Sequence, residues 1–322
     1  MNMLNMLLLW IMSMSIIMSF STNSWFSFWI SMEINMMVFI PLMNSKNFLS
    51  CNSMINYFII QSLASSMFLI SSILHFIYPF FIFIYIIIFS ILIKIAAAPF
   101  HMWFPQISEN ITMKSFYLLS TFQKMIPLQI LSNFNNSKII IFIILSAIIG
   151  TFGGFNQTSL RKILAFSSIS HLSWMMTLIM INQYFWILYF ILYSMIIFKI
   201  IIYMKINFVN SINNIHIKMM TNQNKFQLFS TFLSLAGLPP FLGFFMKMFS
   251  ILIIINKMPL ILLILIPSSL GNMYFYTRIL FPMIMMYNSL FKNYNNFSTK
   301  SLIFFFFNSL SFILIFPFVQ MT

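Results

Sequence analysis

A chain of 322 residues that is 61% hydrophobic and only 6% charged lies far from soluble composition and reads as a polytopic membrane protein. Its net charge of +14 comes from basic residues scattered singly between apolar runs, which excludes the clustered basic face of a nucleic-acid binder. A single cysteine (Cys51), four dispersed histidines (His75, His101, His171, His216) and the lack of any G-x-G-x-x-G or Walker loop exclude an internal disulfide, a thiolate cluster, a zincin and a nucleotide fold.

A spanning helix needs ~20 apolar residues. Apolar runs set against polar breaks predict eleven such helices, at about 3–20, 24–43, 54–74, 79–104, 115–133, 138–154, 162–180, 184–204, 226–255, 259–288 and 301–320. Only the loops 205–225 and 289–300 are long, and neither can hold a soluble domain, so 1–322 is expected to form a single membrane domain.

Of the charged groups inside these runs five look deep, while Lys199 is near enough to the end of its helix to snorkel to the interface. Glu33, one of two acidic residues, sits mid-way along WFSFWISMEINMMVFIPLM; Lys94, Lys124, Lys247 and Arg278 lie in comparably apolar stretches. Charges at bilayer depth are costly and mark ion or proton routes. The other acid, Glu109, is expected to be a solvated charge in a loop near Lys114.

Two runs carry breakers in their middle: LIKIAAAPFHMWFP around Pro99, and LAGLPPFLGFFMK around Gly237, Pro239 and Pro240. Proline removes a backbone hydrogen bond, and in lipid the freed carbonyls must find partners within the protein. Broken helices at matching places in two halves point to a transport site. Here the fourth helix of each five-helix unit is broken, with Lys94 or Lys247 beside the break. The second carries Glu33 or His171, and the fifth Lys124 or Arg278 shortly before a proline. Two repeats are therefore expected, about 3–133 and 138–288, with a terminal helix at 301–320. Because five is odd, the second copy must run inverted.

Loop charges set the orientation. Nine basic residues (46, 114, 161, 162, 205, 218, 225, 292, 300) fall on the N-terminal side against two (138, 257) on the other. The positive-inside rule then places the N-terminus in the matrix and the C-terminus in the intermembrane space. The wealth of Phe, Ile, Met, Asn and Lys beside three valines and two arginines matches an A/T-biased organellar genome. An apolar helix at the start, without an amphipathic presequence, agrees with an organelle-encoded chain of the mitochondrial inner membrane. An A/T-rich bacterium is the other source of such a skew.

The segments MEINMMVFIPL, KIAAAPFHMWFP, FQKMIPL, GGFNQTSLRKILAFSSISHLSW and GLPPFLGFFMK together resemble the chain 2 family of NADH:ubiquinone oxidoreductase, the antiporter-like membrane subunits of respiratory complex I, in an arthropod-type form. The breaks themselves are shared with Mrp-type cation/proton antiporters. The resemblance runs in order along nearly the whole chain and thins in 205–225 and after about 288. It departs at Ala96 and Ser173, where glycine is common, and at Met246 and Met248, where proline and tryptophan are usual.

The resemblance implies an all-α fold and a proton relay of Glu33, Lys94, Lys124 and Lys247. NADH, FMN, iron–sulfur clusters and ubiquinone would be bound by partner subunits and no cofactor by this chain. Its partners would be neighbouring antiporter-like and small hydrophobic chains and phospholipids including cardiolipin. A lysine suits such a relay because its proton affinity responds strongly to burial and to a moving counter-charge. His171, His101 and Arg278 are possible accessories. Each has a plainer reading: a hydrogen-bonded core histidine, a partner for freed carbonyls, and a helix anchor. Two other functions share the same features: a stand-alone cation/proton antiporter and a non-pumping assembly scaffold.

Overall fold

A computed structural model describes residues 3–45, 47–134, 138–181, 184–206, 211 and 222–287. The expected terminal helix 301–320, the loop 289–300 and most of the loop 205–225 lie outside them. Every element assigned among the described residues is helical: α1 (Met3–Ser21), α2 (Trp25–Met43), α3 (Phe48–Ile77), α4 (Phe81–Ile95), α5 (Trp103–Asn110), α6 (Met113–Ser120), α7 (Phe122–Ser132), α8 (Ile139–Phe155), α9 (Leu160–Ile181), α10 (Phe185–Ile206), α11 (Asn222–Ala236), α12 (Leu242–Ile255) and α13 (Pro259–Tyr287). Six are long and apolar enough to cross a bilayer unbroken: α1, α2, α3, α9, α10 and α13. The remaining described runs are shorter. The run at 138–154 forms the 17-residue α8, and those at 79–104, 115–133 and 226–255 are each divided in two.

The two proline-bearing breaks share one backbone pattern. Helix α4 ends where Ala96 turns left-handed at φ 63°, donating to the Ile93 carbonyl, while Ala97 donates to Leu92. Helix α11 ends where Gly237 turns left-handed at φ 82°, donating to Ser234, while Leu238 donates to Leu233. These are Schellman caps, which satisfy the last carbonyls of a helix and need a residue tolerant of positive φ. Glycine meets that need without strain; Ala96 does so against its Cβ. The tightest approach follows at Gly243, where a Cβ would stand 1.5 Å from the Ser234 carbonyl oxygen.

The division at Thr121 has no proline or glycine to announce it. Helix α6 begins at Thr112, whose hydroxyl accepts from the Ser115 amide, and ends where Thr121 leaves helical geometry at φ −118°, ψ −83°. The Thr121 hydroxyl donates to Tyr117 O at 2.6 Å, and its carbonyl accepts from the Lys124 amide at 2.9 Å as α7 starts.

The chain falls into two compact units, 1–146 and 147–322. In the first, α7 is central, packing on α1, α2, α4 and α6, while α2 packs on α3 and α3 on α4. In the second, α9 is buried along nearly its whole length between α10, α12 and α13, and α11 packs on α10 and α13. Gly150 and Gly154 let α8 lie close to Ser170 of α9 and Phe275 of α13. The polar residues of α9 do not disturb this packing, because Ser167, Ser168, Ser170, Ser173 and Thr177 each donate to a carbonyl three residues back in their own helix.

Candidate functional site

In the first unit, the break in α4 sets Lys94 in the last turn of that helix with 6% exposure. Glu33, half-buried on α2, acts on Lys94 through its charge, and the same carboxylate is within electrostatic reach of the Tyr57 hydroxyl on α3. Trp103, the first residue of α5, returns its indole Nε1 to the Ile93 carbonyl at 3.2 Å, covering backbone beside Lys94. Pro99 lies in the turn of the break, and its carbonyl contacts His101 Nδ1 at 3.1 Å.

Lys124 enters the core one turn into α7, at 2% exposure, with its Nζ 4.4 Å above the centroid of the Phe104 ring. An aromatic face attracts a cation without neutralising it and has no proton to exchange. The ring is itself held edge-on to Trp103 at 5.7 Å and near Phe116 at 6.5 Å. The α4–α5 break thus supplies both Lys94 and the platform on which Lys124 rests.

In the second unit, Lys247 lies on α12, ten residues beyond Gly237, yet its side chain returns to the break. Its Nζ donates to the Ala236 carbonyl at 2.7 Å. Gly237, Pro239 and Pro240 form the turn between α11 and α12, and a Cβ on Gly237 would meet Lys247 Nζ at 2.9 Å. His171 is fully buried on α9, with Nδ1 2.8 Å from the Tyr189 hydroxyl and the Tyr193 ring 5.0 Å away. Arg278 of α13 donates to the Phe155 carbonyl at the end of α8. Glu109, in the last turn of α5, is exposed.

Several neutral polar groups inside the helices also pair with one another. Tyr57, Gln123 and Asn35 are joined by hydrogen bonds in the first unit, and in the second Asn272 of α13 donates to Ser170 Oγ at 2.6 Å. The available signal was an amide inside an apolar run: a buried Asn or Gln must find a partner there.

A family model described as "NADH:quinone oxidoreductase/Mrp antiporter, TM" matches residues 78–273. NADH-ubiquinone oxidoreductase chain 2 of Rhipicephalus sanguineus is 41% identical over 92% of this chain and 95% of its own length. That of Anopheles gambiae is 42% identical over 88% and 89%. A chain of respiratory complex I from Thermus thermophilus superposes with a TM-score of 0.80 at 17% identity, over 88% of this chain and 71% of that one, a likeness of fold. With more than half its length matched by the family model and nearly all of it aligned to chain 2 sequences, this chain belongs to the NADH:quinone oxidoreductase/Mrp antiporter family, in its NADH-ubiquinone oxidoreductase chain 2 branch.

Proposed function

We propose that this chain is a proton-translocating membrane subunit of a respiratory NADH:ubiquinone oxidoreductase, carrying protons on Glu33, Lys94 and Lys124 in its first unit and on Lys247 in its second. The observation that carries this reading is the burial of Lys94 and Lys124 around a single broken helix, with the Glu33 charge bearing on Lys94. Lys94 is buried and lies in the field of the half-buried Glu33, so moving a proton on either group changes the energy of the other. Lys124 lies over the Phe104 ring, whose face holds a cation without taking its proton.

The inverted repeat is part of the proposal, and two features support it. The breaks at Ala96 and Gly237 carry the same cap. The neighbours also correspond: in each unit the second helix packs on the third, the third on the fourth, and the fifth on the second and fourth. Redox energy would come from quinone reduction in other subunits, which would hold NADH, FMN, the iron–sulfur clusters and ubiquinone. The chain would sit in the mitochondrial inner membrane with its N-terminus in the matrix, among other antiporter-like and small hydrophobic subunits and phospholipids including cardiolipin.

Lys124→Met tests the relay. The variant complex should assemble, since a methionine side chain can still pack over the Phe104 ring, and should lose NADH-driven proton uptake into proteoliposomes. Normal pumping by the assembled variant would make Lys124 a packing residue. Cation/proton exchange by the chain purified alone would favour the stand-alone antiporter.

A further inference from the structure

Two interruptions of the first unit meet at one contact. Phe104 stands in the first turn of α5, just past the break, where its amide donates to the His101 carbonyl at 3.0 Å. Lys124 stands in the first turn of α7, just past the division at Thr121, where its amide donates to the Thr121 carbonyl at 2.9 Å. Each residue is thus tied through its backbone to a turn. The ammonium of one lies over the ring of the other, with Nζ 4.4 Å from the centroid.

The ring is held from other sides. Phe104 is 1% exposed, Trp103 crosses it at 87° and 5.7 Å, and Phe116 of α6 approaches at 6.5 Å. Trp103 is in turn hydrogen-bonded through Nε1 to the Ile93 carbonyl, so turning the pair of rings away would break that bond. A phenyl face attracts an ammonium through its quadrupole and has no comparable attraction for a neutral amine. Burial enlarges the difference, because water no longer competes for the cation. The ring therefore acts on one protonation state of Lys124 and hardly on the other.

We propose that Phe104 is a positioning residue of the relay: its ring face holds the charged form of Lys124 in place and sets how tightly that lysine keeps its proton. The proposal rests on reading Lys124 as a relay member. The titratable groups on the elements packed against α7 are Glu33 of α2, Lys94 of α4, and exposed Lys114 with half-buried Tyr117 of α6, while α1 has none. Tyr57 of α3 reaches α7 through its hydrogen bond to Gln123. On the ring's own helix the titratable group is Glu109, exposed in the last turn. All of these remain when Phe104 is replaced, so a change on replacement reports the ring.

The test uses the assembled complex in proteoliposomes, with NADH oxidation and proton uptake followed across pH. Phe104→Leu keeps an apolar filling and removes the ring. Losing the ring destabilises the ammonium form, so the alkaline limb of proton uptake should move to lower pH. The expected displacement is about one unit, a tenfold loss of proton affinity equivalent to ~1.4 kcal/mol. Phe104→Tyr keeps an aromatic face and should keep the wild-type limb. A ring that only filled space would lower yield or melting temperature in Phe104→Leu without moving the pH dependence. An unmoved limb in assembled Phe104→Leu, or an equal displacement in Phe104→Tyr, overturns the proposal. Wild-type uptake in Lys124→Met instead removes the relay reading beneath it. Should either Phe104 variant fail to assemble, high-resolution maps of the wild-type complex at acid and alkaline pH decide. Nζ over the ring at acid pH and withdrawn from it at alkaline pH supports the proposal; the same placement at both overturns it.

Discussion

In the first unit the buried cations face side chains: Lys94 lies in the field of Glu33, and Lys124 over the ring of Phe104. In the second unit three cations face backbone. Lys247 donates to Ala236, half-buried Arg278 to Phe155 and exposed Lys257 to Ile181, and each acceptor is the last residue of a helix, of α11, α8 and α9 respectively. A helix C-terminus presents unpaired carbonyls and a partial negative charge, so it is a ready counter-ion for a cation. The difference is one of permanence. A carboxylate can take up a proton and cease to be a counter-charge; a helix end cannot.

Substitutions can break or sharpen that contrast. The largest effect should come from Gly243→Val, because its Cβ would lie 1.5 Å from the Ser234 oxygen and would force α11 and α12 apart. A cost on the order of 4 kcal/mol or more is expected, read as loss of the assembled complex on native gels. Accumulation at the normal level would show the second break to be far more compliant than its geometry.

Lys247→Met comes next. It strips the Ala236 carbonyl of its donor, so it should injure both pumping and stability, the latter by ~1–3 kcal/mol. Thermal denaturation of the purified complex checks this; melting equal to wild type would make the bond to Ala236 dispensable. Arg278→Met leaves the end of α8 without its cation at a half-buried position. A stability loss of ~1–2 kcal/mol should appear with an unchanged ratio of protons pumped to NADH oxidised. A reduced ratio would promote Arg278 from anchor to relay.

The smallest effect concerns the first break. Ala96 holds φ 63° with a Cβ, so Ala96→Gly should stabilise the complex by ~1 kcal/mol, seen as a raised melting temperature with pumping preserved. A lowered one would mean that the flexibility glycine adds to the unfolded chain outweighs the relieved strain.

The sequence made Pro99 and Pro239–Pro240 legible as breaks because proline acts locally, through a missing donor and a steric clash. Lys94, Lys124 and Lys247 stood out by the cost of a charge among apolar neighbours. The departure at Ala96 acquires its reason only from the left-handed backbone there. The division at Thr121 was hidden, since a threonine that bonds the preceding turn reads no differently from the serines that do so within unbroken helices. The Tyr57–Gln123–Asn35 clamp was hidden for another reason. Its members are 66 and 88 residues apart in sequence, and such distant pairings leave no periodic trace. Nor could spacing reveal that Lys247, ten residues past Gly237, folds back to the end of the helix before it.

That return has a consequence for time. A lysine free in a cavity changes rotamer in picoseconds to nanoseconds, whereas helix ends and broken segments rearrange over microseconds to milliseconds. While its ammonium holds the Ala236 carbonyl beneath Gly237, Lys247 cannot reorient without disturbing the last turn of α11. Its clock is the backbone's, slower by orders of magnitude than that of an untethered lysine side chain.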